Sequence, residues 1–87
     1  ALHQNYPNPF NPVTTIRFDI PEESRVSIDI YNVMGQKVAE VVDAHYQPGF
    51  YSVNWSGTNT LGGALSSGMY FYRIQAKNFT AVKKLYW

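Results

Sequence analysis

Two histidines, a pair of adjacent glutamates and a glycine-rich loop hold the residue types from which this chain would do chemistry. His3 stands near the start, and His45, shortly before Pro48, is expected in a turn. A Ser–His–Asp set needs all three groups within hydrogen-bond reach on a rigid scaffold, and nothing here spells a nucleophile elbow. Glu22 and Glu23 share a turn, where solvated carboxylates are the ordinary finding, whereas glycoside hydrolysis asks for two carboxylates facing each other across a cleft. The loop SGTNTLGGALSSG alternates Asn and Thr oxygens over 56–60, but calcium sites need several carboxylates and no Asp or Glu follows Asp43. Gly62-Gly63 lacks the strand-loop-helix setting of a phosphate cradle. Without cysteine, neither a disulfide staple nor a thiolate zinc site is available. The residues predict no catalytic site, no metal and no cofactor.

Charge is segregated along the chain. All six carboxylates lie between Asp19 and Asp43, while the second half carries Arg73, Lys77, Lys83 and Lys84 with no acid. Acidic and basic strands pairing across a sheet would account for this; a basic binding surface is the alternative. Four scattered cations make a poor phosphate track, which argues against nucleic acid. No apolar run of about 18 residues exists to span a membrane.

The elements that position these residues are strands. Alternation of period two places Ile16, Phe18 and Ile20 on one face of TTIRFDI, and Val26, Ile28 and Ile30 on one face of RVSIDIYN. PEES between them predicts a hairpin. NVMGQ turns the chain with Gly35 at the left-handed position. QKVAEVVDA admits a short helix, but its valines favour a strand. FYSVNW points Tyr51, Val53 and Trp55 to one side, and MYFYRIQA and FTAVKKLYW flank the turn Lys77-Asn78 as antiparallel neighbours. Six or seven short strands at roughly ten-residue spacing predict an all-β antiparallel sandwich, residues 13–87, behind a Pro/Asn-rich junction segment, residues 1–12. At 87 residues, 45% apolar and 16% aromatic, the chain is one globular domain. Its start without methionine reads as a piece of a longer protein.

Two tyrosines stand two residues after a strand-opening glycine, Gly49–Tyr51 and Gly68–Tyr70. In SGMYFY, Tyr70 resembles the tyrosine corner of immunoglobulin-like sandwiches, whose hydroxyl bonds back to nearby backbone, with Tyr72 at the inward place where antibody domains keep a cysteine. Phe18, Trp55, Tyr70 and Tyr72 are assigned to the core; Tyr31, Phe50, Tyr86 and Trp87 are the candidates to face outward and stack on partners or sugars.

Taken in order, NYPNPFNPVTTIRF, VSIDIYNVMGQKV, PGFYSVNWSG, SSGMYFYRIQA and KKL form a series. It closely resembles the C-terminal sorting domain of type IX secretion cargo, type A branch, common on proteins of Bacteroidota. A related immunoglobulin-like domain occurs in the flagellar hook-assembly scaffold protein, which shares the GQ…GxYxxxW…SGxYxYR framework. The resemblance implies an immunoglobulin-like sandwich with no chemistry of its own. It would send an N-terminal cargo through the periplasm of a Gram-negative bacterium to the surface or medium. Its partners would be the outer-membrane translocon and a sortase-like cysteine peptidase. The family's GQ turn falls on Gly35-Gln36, its strand-opening glycines on Gly49 and Gly68, its terminal basic pair on Lys83-Lys84. Ser56 and Asn59 stand where many members carry acids.

For recognition, the terminal ribbon with Arg73, Lys83, Lys84 and Leu85 is expected to meet the receptor by strand addition. In NYPNPFNP the prolines hold φ near −65° and extend their preceding asparagines. That stiffness favours docking of Tyr6 and Phe10 on the sandwich over a free spacer. The rival from another class is an accessory carbohydrate-binding or spacer module of a polysaccharide-degrading enzyme.

Overall fold

A computed structural model describes residues 13–87; Tyr6, Phe10 and the rest of the junction segment lie outside them. Six strands follow in order: β1 (Thr14–Ile20), β2 (Ser24–Tyr31), β3 (Lys37–Tyr46), β4 (Gly49–Trp55), β5 (Met69–Ala76) and β6 (Phe79–Tyr86). They form two antiparallel layers, β1-β4 and β3-β2-β5-β6. The described residues contain no helix.

β1 and β2 do not form the expected hairpin. β1 pairs along its whole length with β4, from Thr14↔Trp55 to Ile20↔Gly49, and β2 is flanked by β3 and β5. With both edges of β2 taken, β1 has no place beside it. The three residues from Pro21 instead turn a corner between layers, and Pro21 has no N–H to continue a ladder. Ile16, Ile20, Val26, Ile28 and Ile30, all at 2% exposure or less, therefore meet face to face across the sandwich. Each such side chain contributes about 1.5–3 kcal/mol of burial. Phe18, Ala39, Val42, Trp55, Tyr70, Ile74 and Leu85 complete the core.

The helix-like spacing in QKVAEVVDA has a physical cause. β3 is a strand, but Ile28 pairs with Val42 and Asp29 with Glu40, and Ile30 pairs with Ala39 and Tyr31 with Lys37. Val41 and Val38 are the extra residues at two bulges, so strict alternation is lost. Val38, Ala39, Val41 and Val42 all reach the core or its border.

Three aromatic rings close each end of the sandwich. Phe18, Tyr46 and Tyr51 meet at one end with centroids 4.7–5.6 Å apart. Trp55 touches Tyr70 and Trp87 at the other, at 5.8 and 5.5 Å. At each end a tyrosine hydroxyl donates to the carbonyl four residues earlier: Tyr51 to Gln47 at 2.7 Å, Tyr70 to Ser66 at 2.6 Å.

Candidate recognition surface

β6 is an edge strand: among the described residues it pairs with β5 alone, which leaves one row of backbone groups unpaired. Alternation sends Thr80, Val82, Lys84 and Tyr86 to the outer face, and Phe79, Ala81, Lys83 and Leu85 to the face that meets β1-β4. Among the described residues the second layer has two strands and stops short of β6 at Lys83, which stays exposed. Leu85, at 6%, is in the core. Of the four residues expected to greet a partner, Lys83 and Lys84 therefore offer side chains at the edge. Leu85 instead fixes the strand to the body.

The last residue is held too. Trp87 exchanges backbone hydrogen bonds with Gly68, at 2.9 and 3.0 Å. Its indole rests on Trp55 and on Gly57, so Trp87 does not face outward as expected. Phe50 and Tyr86 do, at 90% and 68% exposure. Tyr31 is half-buried beneath the guanidinium of Arg73, whose Cζ lies 5.2 Å from the ring centroid.

The expected pairing of acidic with basic strands fails at its centre. Arg73 lies opposite Asp29 in register, yet the salt bridge of Asp29 runs to Lys37, 3.3 Å away. The bulge between Ile28 and Asp29 sets Glu40 opposite Asp29, and the one between Ile30 and Tyr31 sets Lys37 opposite Tyr31 on the same side of the sheet. Within the described residues, Lys77–Glu22 is the one salt bridge between a carboxylate and a Lys or Arg of the second half. Arg73, Lys83 and Lys84 appear in none. Arg73, Lys83 and Lys84 thus gather on β5 and β6 with no acid among the described residues to answer them.

These strands, in this order, match known proteins. The family described as secretion system C-terminal sorting domain matches residues 4–86. The chain belongs to that family. The sorting domain also resembles the crystal structure of FlgD from P. aeruginosa, with a TM-score of 0.68 at 20% identity, over 85% of this chain and 60% of that one. At that identity the likeness speaks for the immunoglobulin-like fold alone, and the sorting domain spans less than two thirds of the FlgD chain. No curated protein matches.

The motifs of the sorting domain now have physical reasons. In the GQ turn, Gly35 sits at φ +83. Asn32 accepts hydrogen bonds through its side-chain oxygen from the N–H of Met34 and Gln36, both at 3.0 Å, and donates to the side chain of Gln36 at 2.9 Å. The loop after Trp55 repeats this device. Asn59 Oδ1 accepts from Leu61 and Gly63 at 3.0 and 2.8 Å, with Gly62 at φ +88. Asn-x-x-Gly in NVMGQ and NTLGG marks both turns; the sequence reading took the first from Gly35 alone and passed over the asparagine and the second turn. The oxygen weighed as a calcium ligand is a turn cap. Gly49 and Gly68, at φ +155 and +152, open the strands that carry the two bonded tyrosines. Tyr72 lies half-buried on the inward face between Tyr70 and Ile74.

Glu22 and Glu23 diverge rather than pair. Glu22 holds Lys77 and Asn78 in the β5–β6 turn. Glu23 accepts from Gln47 at 3.2 Å and meets His45 Nε2 at 2.7 Å. These contacts hold Glu23 below the ordinary carboxylate range, the bond to His45 foremost. No helix among the described residues is long and apolar enough to cross a membrane.

Proposed function

We propose that this chain is a non-catalytic address label that sends an N-terminal cargo through the type IX secretion system to the cell surface of a Gram-negative bacterium. The outer-membrane translocon reads the β5–β6 ribbon, and a sortase-like cysteine peptidase cuts at or before residues 1–12. The family match over 4–86 carries the reading. Among the described residues, the open edge of β6 and the unpaired Lys83 and Lys84 support the ribbon as the contact. Strand addition draws affinity from backbone bonds, and charge sets the choice of partner.

The ends of the chain suit this role. Thr14, next to the junction, pairs with Trp55, and Trp55 touches Trp87. A receptor gripping the terminal strand therefore stands beside the point where cargo enters. Docking of Tyr6 and Phe10 would stiffen that point. Exchange of both for serine is expected to lower the melting temperature, and an unchanged melt would leave residues 1–12 a spacer.

The test is export. A fluorescent protein fused ahead of residues 1–87 is expected on the surface of a type IX host. With Lys83→Gln and Lys84→Gln it is expected to stay in the periplasm. Full display of that double variant would refute the ribbon as the contact.

A further inference from the structure

The outer face of the four-stranded sheet holds two concavities of opposite character. The larger, about 790 Å³, is lined by Glu23, Arg25, Asp43, His45 and Lys77 among others. Its charges are already matched: Arg25 with Asp43 at 2.9 Å, Glu23 with His45, Lys77 with Glu22. The smaller, about 260 Å³, is lined by Tyr31, Gly35, Phe71, Arg73 and Val82, and its one charge is not matched. Among the described residues, Arg73 Nε is buried without a hydrogen-bond partner, and no carboxylate within 4 Å answers its guanidinium. A buried donor left unpaired costs free energy until something accepts from it.

We infer that this slot binds an extended acidic peptide segment of a partner protein. A carboxylate of that segment accepts from Arg73, and an apolar side chain two residues away rests on Phe71 and Tyr31. Register supports the peptide. Phe71 and Arg73 stand two residues apart on one face of β5, and an extended chain presents its own alternate side chains with the same spacing. One row across the sheet reads Lys37, Tyr31, Phe71 and Lys84. Lys37 is engaged by Asp29 and Glu40, which leaves Lys84 and Arg73 to meet acid. The neighbouring β6 edge offers backbone groups to such a segment. Gly35 lines the slot, and a β-carbon placed on it would meet nothing within 4 Å.

This goes beyond the export reading and is tested without it. The 87-residue chain, labelled with ¹⁵N, is titrated with a short acetylated peptide alternating Val and Glu, then with its Val/Gln counterpart and with dextran sulfate. The Val/Glu peptide is expected to shift the Arg73 Nε–H resonance together with those of Phe71 and Val82, and the Gln peptide to bind on the order of tenfold more weakly. Arg73→Gln is expected to abolish the difference between the peptides, while Arg73→Lys, with its charge intact, recovers part of it. Shifts confined to Lys83 and Lys84, equal binding of both peptides, or displacement of the peptide by dextran sulfate at the same Arg73 resonance would overturn the assignment.

Discussion

Trp87 lays its indole against Gly57 so closely that a β-carbon at position 57 would overlap Cε2 and Cζ2 of the ring. Gly57 also sits at φ +73, where L-residues with side chains are disfavoured. The last residue of the chain is thus seated on a glycine in the loop after β4, and the two fix the end of the terminal strand.

Gly57→Ala is expected to cost about 1–2 kcal/mol in backbone strain alone, with displacement of Trp87 added to it. For a domain of this size that lowers the melting temperature by roughly 4–16 °C. Combining it with Trp87→Ala isolates the contact. If Gly57→Ala costs as much without the indole as with it, the packing argument fails and only strain remains.

The two end-closing tyrosines give a paired experiment. Tyr51→Phe and Tyr70→Phe keep the rings and remove the bonds to Gln47 and Ser66. Each is expected to cost about 0.5–1.5 kcal/mol. Tyr70, buried at 6%, is expected to lose more than half-buried Tyr51, because the stranded carbonyl of Ser66 is harder for water to reach. Chemical denaturation measures both, and an effect confined to Tyr51 would contradict the burial argument.

Asn32 and Asn59 are expected to behave alike. Alanine at either removes an acceptor of two backbone hydrogen bonds and should destabilise by about 1–2 kcal/mol. Aspartate, which keeps the acceptor oxygen, should be tolerated far better. Loss of the Asn32 cap without loss at Asn59 would show that the matching geometry carries unequal weight.

Leu85 and Lys84 are adjacent and opposite in role. Leu85→Ala is expected to cost about 2–4 kcal/mol, as core truncations do. Lys84→Gln, exposed on the outer face, should leave the melt within about 0.5 kcal/mol of the parent. Truncation of the last five residues removes Leu85 and Trp87 and confounds folding with recognition, so only the lysine variants separate the two. An equal loss of stability from both substitutions would disprove this division.

The contact between Glu23 and His45 predicts a signed pH response. Glu23 titrates below its ordinary range in the fold, so its contribution is complete above the ordinary glutamate value. It is lost as pH falls through the lower folded value. Lys37 runs the other way. The Asp29 carboxylate beside it raises its value, and that contribution is present below the ordinary lysine range and lost as pH rises through the elevated one. Glu23→Gln is expected to flatten the acid limb of the stability profile and Lys37→Met the alkaline limb. An unchanged acid limb in Glu23→Gln would discount the His45 contact.

Much of this molecule was written in local pattern. Period-two alternation identified β1, β2 and β4 because each buries one face, and the valines identified β3 although its two bulges break the alternation. Glycine at 35 identified a turn because only a residue without Cβ enters that conformation easily. Tyr70 bonds back to Ser66 within the same short loop, so its place was legible too. What pattern left open was which strands pair. PEES is as good a corner between layers as a hairpin turn, and only the competition for both edges of β2 sent β1 to β4. The fate of the charges was decided at the same level. Asp29 and Arg73 are forty-four positions apart in sequence and opposite in register, yet a bulge carried Lys37 to the carboxylate first and left Arg73 in its slot without an acid. Which of two cations reaches a carboxylate depends on ångström-scale register between distant strands, and spacing along the chain does not encode that.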